Sequence, residues 1–129
     1  MVTDTIGDLI IRIKNANLRG KESVTLYTSN LKYAVAEALL RAGYVKSVAK
    51  SKNSKMLEIE LAYKADKTSR IEDVQRISKP SRRIYKNVSE IKPFKNGFGA
   101  TIISTPQGIL SGKEAFKQKV GGEVMFRIW

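Results

Sequence analysis

Three groups of residues in this chain have types and spacing that could do chemistry. Ser104-Thr105-Pro106-Gln107-Gly108 follows an apolar run, Ile102-Ile103, so two hydroxyls are expected at the exposed end of a strand, where it gives way to a Pro/Gly turn. Hydroxyls both donate and accept, and at such a turn they can bond base edges, ribose 2′-OH groups or phosphates of an irregular RNA. The ordinary alternative is a turn former that bonds only its own backbone. The second group is basic: Arg76, Lys79, Arg82, Arg83, Lys86, Lys92 and Lys95 accumulate against the single acid Glu90, with Tyr85 among them. Such a segment can neutralise phosphates, and Tyr85 either fills a small core or offers a platform to a base or ribose. The third group is Gly121-Gly122-Glu123, where the glycines permit close backbone approach. There Glu123 either accepts from a base amino group, orients a Lys or Arg, or is a plain strand-end charge.

Composition narrows the classes. The 129 residues include 24 Lys+Arg against 12 Asp+Glu, a net charge of +12 with a pI near 10.0, which favours a polyanionic partner, nucleic acid first. Cysteine and histidine are both absent. That removes disulfides, Cys/His metal clusters, Ser-His-Asp triads and histidine acid/base catalysis, so no cofactor or metal is expected. Glu58 and Glu60, two apart on one strand face, read as solvent-facing charges rather than a catalytic pair, and the chain reads as a non-enzyme. No apolar run approaches the roughly 18–20 residues that span a bilayer, and the acidic start lacks a basic targeting region. A cytoplasmic protein with no membrane partner is the simple expectation.

The elements that must position these groups divide into two sets. Ile6, Leu9, Ile10 and Ile13 recur at helical spacing behind Thr3, Asp4 or Thr5 as caps, with Asn17 to Lys21 as the stop. Val24 and Leu26 alternate as a short strand, and Ser29 then caps a helix carrying Leu31, Ala34, Val35, Ala38, Leu39 and Ala42. Tyr44 to Ala49 and Leu57, Ile59, Leu61 and Tyr63 read as two antiparallel strands about a polar turn at 50–55, with Glu58 and Glu60 on the open face. Lys64 to Asp73 has only isolated apolar residues and reads as a linker. Beyond it lie short strands at 74–77, 83–85, 100–104 and 123–129, broken by Pro80, Pro93, Gly97, Gly99, Pro106 and Gly108. Ser111 with Glu114 has capping-box spacing, which predicts a helix over 112–119 closed by Gly121. The expected class is α+β in two small domains: 1–66, an N-terminal α/β domain with two helices on a small sheet, and 67–129, a β-rich RNA-binding domain with one short helix.

The order Ser-Thr-x-x-Gly at 104–108, a short capped helix, Gly-Gly-Glu at 121–123 and a terminal aromatic strand resembles the C-terminal signature of the eighth protein of the small ribosomal subunit, in its bacterial form. Lys79-Pro80-Ser81-Arg82-Arg83-Ile84-Tyr85 is similar to the family's Arg-x-Tyr segment after a Lys-Pro turn. The chain departs from the family at Pro106, where Ser is common, at Ser111-Gly112, where Thr-Asp is common, and at Phe116, where Arg is frequent. The resemblance implies a structural constituent of the small subunit that binds ribosomal RNA directly in its central domain, aids assembly, neighbours other small-subunit proteins and is a monomer outside the particle. Carried over residue by residue, it implies RNA contacts at Ser104, Thr105, Gln107, Gly108, Tyr85, Arg82, Arg83, Lys86, Gly122 and Glu123. Arg12 and Asn15 on the first helix are further candidates. Some family members also repress translation by binding their own messenger, and that role stands as an alternative. A second alternative is a basic adaptor for an acidic protein or membrane surface, against which the core-facing pattern of both helices counts.

Overall fold

The computed structural model describes residues 4–50, 55–92 and 99–129. Its contacts divide the chain into two units: Thr5–Glu72, and Asp73–Trp129 together with the extreme N-terminus through Asp4. Both are antiparallel sheets with helices, the α+β class expected. The suggested cap Thr3, and Pro93, Lys95 and Gly97, lie outside the described residues, as does most of the turn at 50–55.

In the N-terminal unit, α1 (Thr5–Leu18) and α2 (Asn30–Arg41) accompany a sheet of β1 (Ser23–Tyr27), β2 (Val45–Lys50) and β3 (Met56–Leu61) in the order β1-β3-β2. The alternation does its expected work: Leu57, Ile59 and Leu61 are buried while Glu58 and Glu60 face out. Ser29 caps α2, accepting from the Lys32 amide at 3.2 Å.

Two readings need correction here. Leu31 is exposed and Ala36 is buried instead, because the inner stripe of α2 centres on Val35, Ala36, Ala38 and Leu39. Asn17 is not part of a turn but a buried residue inside α1, and it reaches the segment that looked like a linker. Its amide donates to the Ala62 carbonyl at 2.9 Å, its Oδ1 accepts from the Ile71 amide at 3.2 Å, and the Ser69 hydroxyl lies beside it. Ile71 is fully buried although residues 64–68 stay exposed, and the contacts group the segment through Glu72 with this unit. One buried side chain satisfies a loop backbone that no apolar pattern announces.

The C-terminal unit is built on β8 (Gly122–Ile128). Along one edge β8 pairs with β4 (Val74–Arg76) and β5 (Tyr85–Lys86), and along the other with β6 (Ala100–Thr105), which pairs with β7 (Gly108–Ser111). The hairpin partner β7 is not among the expected strands: its four residues are too few to show a period, but their backbone pairs with β6 from Thr105↔Gly108 to Ile102↔Ser111. Nor does β8 alternate cleanly, since Met125 is buried between Val124 and Phe126 where the register shifts opposite Ile102 and Ile103. α3 (Gly112–Gln118) has the expected capping box, with Ser111 Oγ accepting from the Glu114 amide at 3.3 Å and Glu114 Oε1 from the Ser111 amide at 3.0 Å. Its end differs from expectation. The left-handed residue is Lys119 (φ 57°), not Gly121, which leaves Gly121 for another task.

Candidate nucleic-acid interface

That task is close approach. A Cβ built on Gly121 would sit 2.7 Å from Asn87 Cα and overlap the Lys86 carbonyl, and one on Gly122 would sit 3.1 Å from Thr105 Cα and overlap the Ser104 carbonyl. Only glycine lets the start of β8 run between the backbones of β5 and β6 at this spacing. The consequence is a continuous row. Tyr85 opposes Glu123, Glu123 opposes Ser104, and Ser104 opposes Ile109, so four strands place these side chains on one face across about 14 Å.

Each member is held differently. Tyr85 is 68% exposed, so its ring is not core filler. Glu123 accepts from Arg83 at 3.1 Å, which places the carboxylate between the row and the basic loop as the orienting partner of a guanidinium. The Ser104 hydroxyl makes no hydrogen bond among the described residues. Thr105 is engaged within its own turn: its hydroxyl donates to the Gly108 carbonyl at 2.8 Å and accepts from the Gln107 amide at 3.1 Å. Pro106 and Gln107 form the two-residue tip and are exposed, and Gly108 takes φ +118°, a conformation other residues resist. The absence of an N–H at position 106 does not weaken this turn, because its internal bonds come from Thr105 and Gln107.

The basic loop beside the row is pinned by a residue that composition did not single out. Ser78 is fully buried; its hydroxyl accepts from the Ile84 amide at 2.8 Å and donates to the Ile84 carbonyl at 3.2 Å, and its own amide donates to Val124 O at 3.1 Å. Residues 79–83 are thereby closed into a tight excursion, with Lys79 and Arg82 exchanging backbone bonds of 2.8 and 3.0 Å. Lys79, Arg82 and Lys86 carry their charge with no carboxylate partner among the described residues. A polar residue directly before Lys-Pro was the available signal for Ser78. Glu90 is occupied in a capping box with Asn87, accepting from its amide at 3.1 Å.

Arg76 does not join this surface. Its guanidinium grips Asp4 through two bonds of 3.0 Å and donates to Met125 O at 2.6 Å, with only 14% of its side chain exposed. It is a structural cation. Arg12 and Asn15 stand on the exposed side of α1 in the other unit, Arg12 paired with Asp8 at 3.0 Å. Among the described residues no group of three potential metal ligands occurs.

These features define a small basic protein built to present a surface. The family model described as Ribosomal protein S8 matches residues 4–129. Over its full length the chain is 42% identical to small ribosomal subunit protein uS8 of Aliarcobacter butzleri and 45% identical to that of a Nitratiruptor species. It is 40% identical to the same protein of Helicobacter pylori, and in each case all of both chains is covered. The chain belongs to the ribosomal protein S8 family. It is a structural protein of the small ribosomal subunit, a ribonucleoprotein component of the cytoplasmic translation machinery, and not an enzyme.

Proposed function

We propose that the row Tyr85–Glu123–Ser104, the turn 105–108 and the cations Lys79, Arg82, Arg83 and Lys86 form the surface that binds small-subunit ribosomal RNA directly, in its central domain, and so aids assembly of the particle. The observation that carries this reading is the approach of Gly121 and Gly122 to the β5 and β6 backbones, because two side chains are forgone to bring an exposed ring, a free hydroxyl and an Arg-held carboxylate into one line. Chemically the parts are complementary to an unpaired RNA segment. The ring stacks on a base, the Ser104 hydroxyl and Glu123 carboxylate meet polar edges, the hydroxyl as donor or acceptor and the carboxylate as acceptor, and the loop cations meet phosphates. Arg12 and Asn15 add a weaker contact from the other unit. The protein acts as a monomer outside the particle, and the same surface serves a messenger that presents the same RNA shape.

Because the chain has no cysteine, single tethering sites can be introduced without competition. Gln107→Cys carrying an iron chelate should cleave the central-domain RNA at a few clustered nucleotides, while Glu58→Cys on the open N-terminal sheet gives a different and weaker pattern. Equal, diffuse cleavage from both positions would remove the assignment of this face.

A further inference from the structure

Among the described residues of the C-terminal unit, Phe116 is a second large aromatic ring left outside, 64% exposed. Its helix had an apolar place for it: the inner side of α3 carries Ala115 into a cluster with Ile103 and Leu110, flanked by Ile91 and Val120. The outer side is composed differently. At about 100° per residue, Lys113, Phe116 and Lys117 fall within roughly a third of the helix circumference, and all three are exposed. The acid of the helix, Glu114, is turned back onto the Ser111 amide at 3.0 Å, so among the described residues of α3 no carboxylate shares that side. A phenyl ring kept in water forgoes the hydrophobic stabilisation that an inward position would supply. An aromatic ring beside two ammonium groups on one side of a helix is matched to one ligand chemistry in particular, a nucleotide whose base stacks on the ring while its flanking phosphates meet the cations.

We propose that Phe116 is a nucleotide-stacking residue which, with Lys113 and Lys117, holds an unpaired nucleotide of the RNA bound at the strand-end row; this rests on the RNA-binding reading of that row. α3 runs through Lys119 and Val120 into Gly121-Gly122, so the backbone approach that assembles the row also fixes where the end of this helix lies. The exposed rings Tyr85 and Phe116 then serve different nucleotides of one RNA.

The test is affinity for a small-subunit central-domain RNA fragment, beside an unrelated hairpin of equal length, for wild type, Phe116→Ala, Phe116→Leu, Phe116→Tyr and the pair Lys113→Gln/Lys117→Gln. Phe116→Ala and Phe116→Leu should each weaken cognate binding about 5- to 100-fold with the salt slope unchanged, and Phe116→Tyr should restore it. The lysine pair should instead flatten the salt slope by between one and two counterions. If wild type prefers the cognate fragment but Phe116→Ala and Phe116→Leu bind as tightly as wild type, the stacking role is wrong and the row stands. That outcome would point to a protein partner at the ring. If wild type does not distinguish the two RNAs, the row and the stacking role fall together.

Discussion

In the N-terminal unit the residue that ties a patternless segment down is a buried amide: Asn17 reaches from α1 to Ala62, Ser69 and Ile71 and so anchors both ends of the 62–71 stretch. In the C-terminal unit the residues that tie strand ends together have no side chain at all, since Gly121 and Gly122 let β8 pass between β5 and β6. The two devices leave different surfaces behind. Asn17 uses its polar groups inside the fold and exposes nothing by doing so. The glycines bring backbones together and leave their neighbours' side chains in line on one face, Tyr85 exposed and Glu123 and Ser104 half-buried. A unit held by buried side chains is self-contained, whereas one held by backbone approach presents chemistry where the strands converge.

The largest effect expected from breaking this contrast is at Gly122. Gly122→Ala forces a methyl into the Ser104 carbonyl and should destabilise the C-terminal unit by about 3 kcal/mol, seen as a lower urea midpoint, with loss of RNA binding. Wild-type stability in that variant would contradict the close approach. Asn17→Ala comes next. It strands the buried Ile71 amide and should cost about 2 kcal/mol, yet RNA affinity measured on the folded protein should stay within about twofold, because the damage lies in the other unit. A matching loss of affinity would erase the division of labour.

Tyr85→Ala should show the opposite balance, with less than about 0.5 kcal/mol of stability lost from so exposed a ring and RNA affinity falling about tenfold. A stability loss without an affinity loss would return Tyr85 to the core. The smallest effect concerns pH. Burial pushes the Tyr44 phenol above its ordinary 10.0, against the opposing pull of Arg70. The folded state therefore holds this proton more tightly than the unfolded chain does, so stability is intact below pH 10.0 and is lost progressively as pH rises through and beyond it. Urea unfolding from neutral pH to about pH 11 should show that decline, and Tyr44→Phe should flatten part of it. An identical alkaline decline in Tyr44→Phe would place the titrating group elsewhere.

How much could be read in advance follows the same line. The N-terminal sheet was legible because it is covered on one face only, which makes Leu57, Ile59 and Leu61 alternate with Glu58 and Glu60. The capping box that starts α3 and the Pro/Gly turn after β6 are local in sequence, and they too could be read directly. Asn17 was misplaced because a polar residue near a glycine looks like a helix stop until its partners, far away in sequence, are known. Strand β7 was missed because four residues cannot show a period, and the clean alternation expected of β8 failed at the bulge that buries Met125. Arg76 was counted among the free cations since nothing local reveals that Asp4, at the other end of the chain, neutralises it. For the candidate site, residue types located the hydroxyl turn, the basic loop and the Gly-Gly-Glu run separately. What the sequence did not reveal was their common row, because cross-strand register is set by backbone spacing.

The most direct test of the central claim is a salt titration of binding to a small-subunit central-domain RNA fragment against an unrelated hairpin of equal length, with wild type and Ser104→Ala/Tyr85→Ala compared. The account predicts selective binding by wild type, and in the double variant a loss confined to the cognate RNA with an unchanged salt slope, since neither substitution removes a charge. Equal binding of both RNAs by wild type, or a double variant that discriminates as well as wild type does, would contradict it.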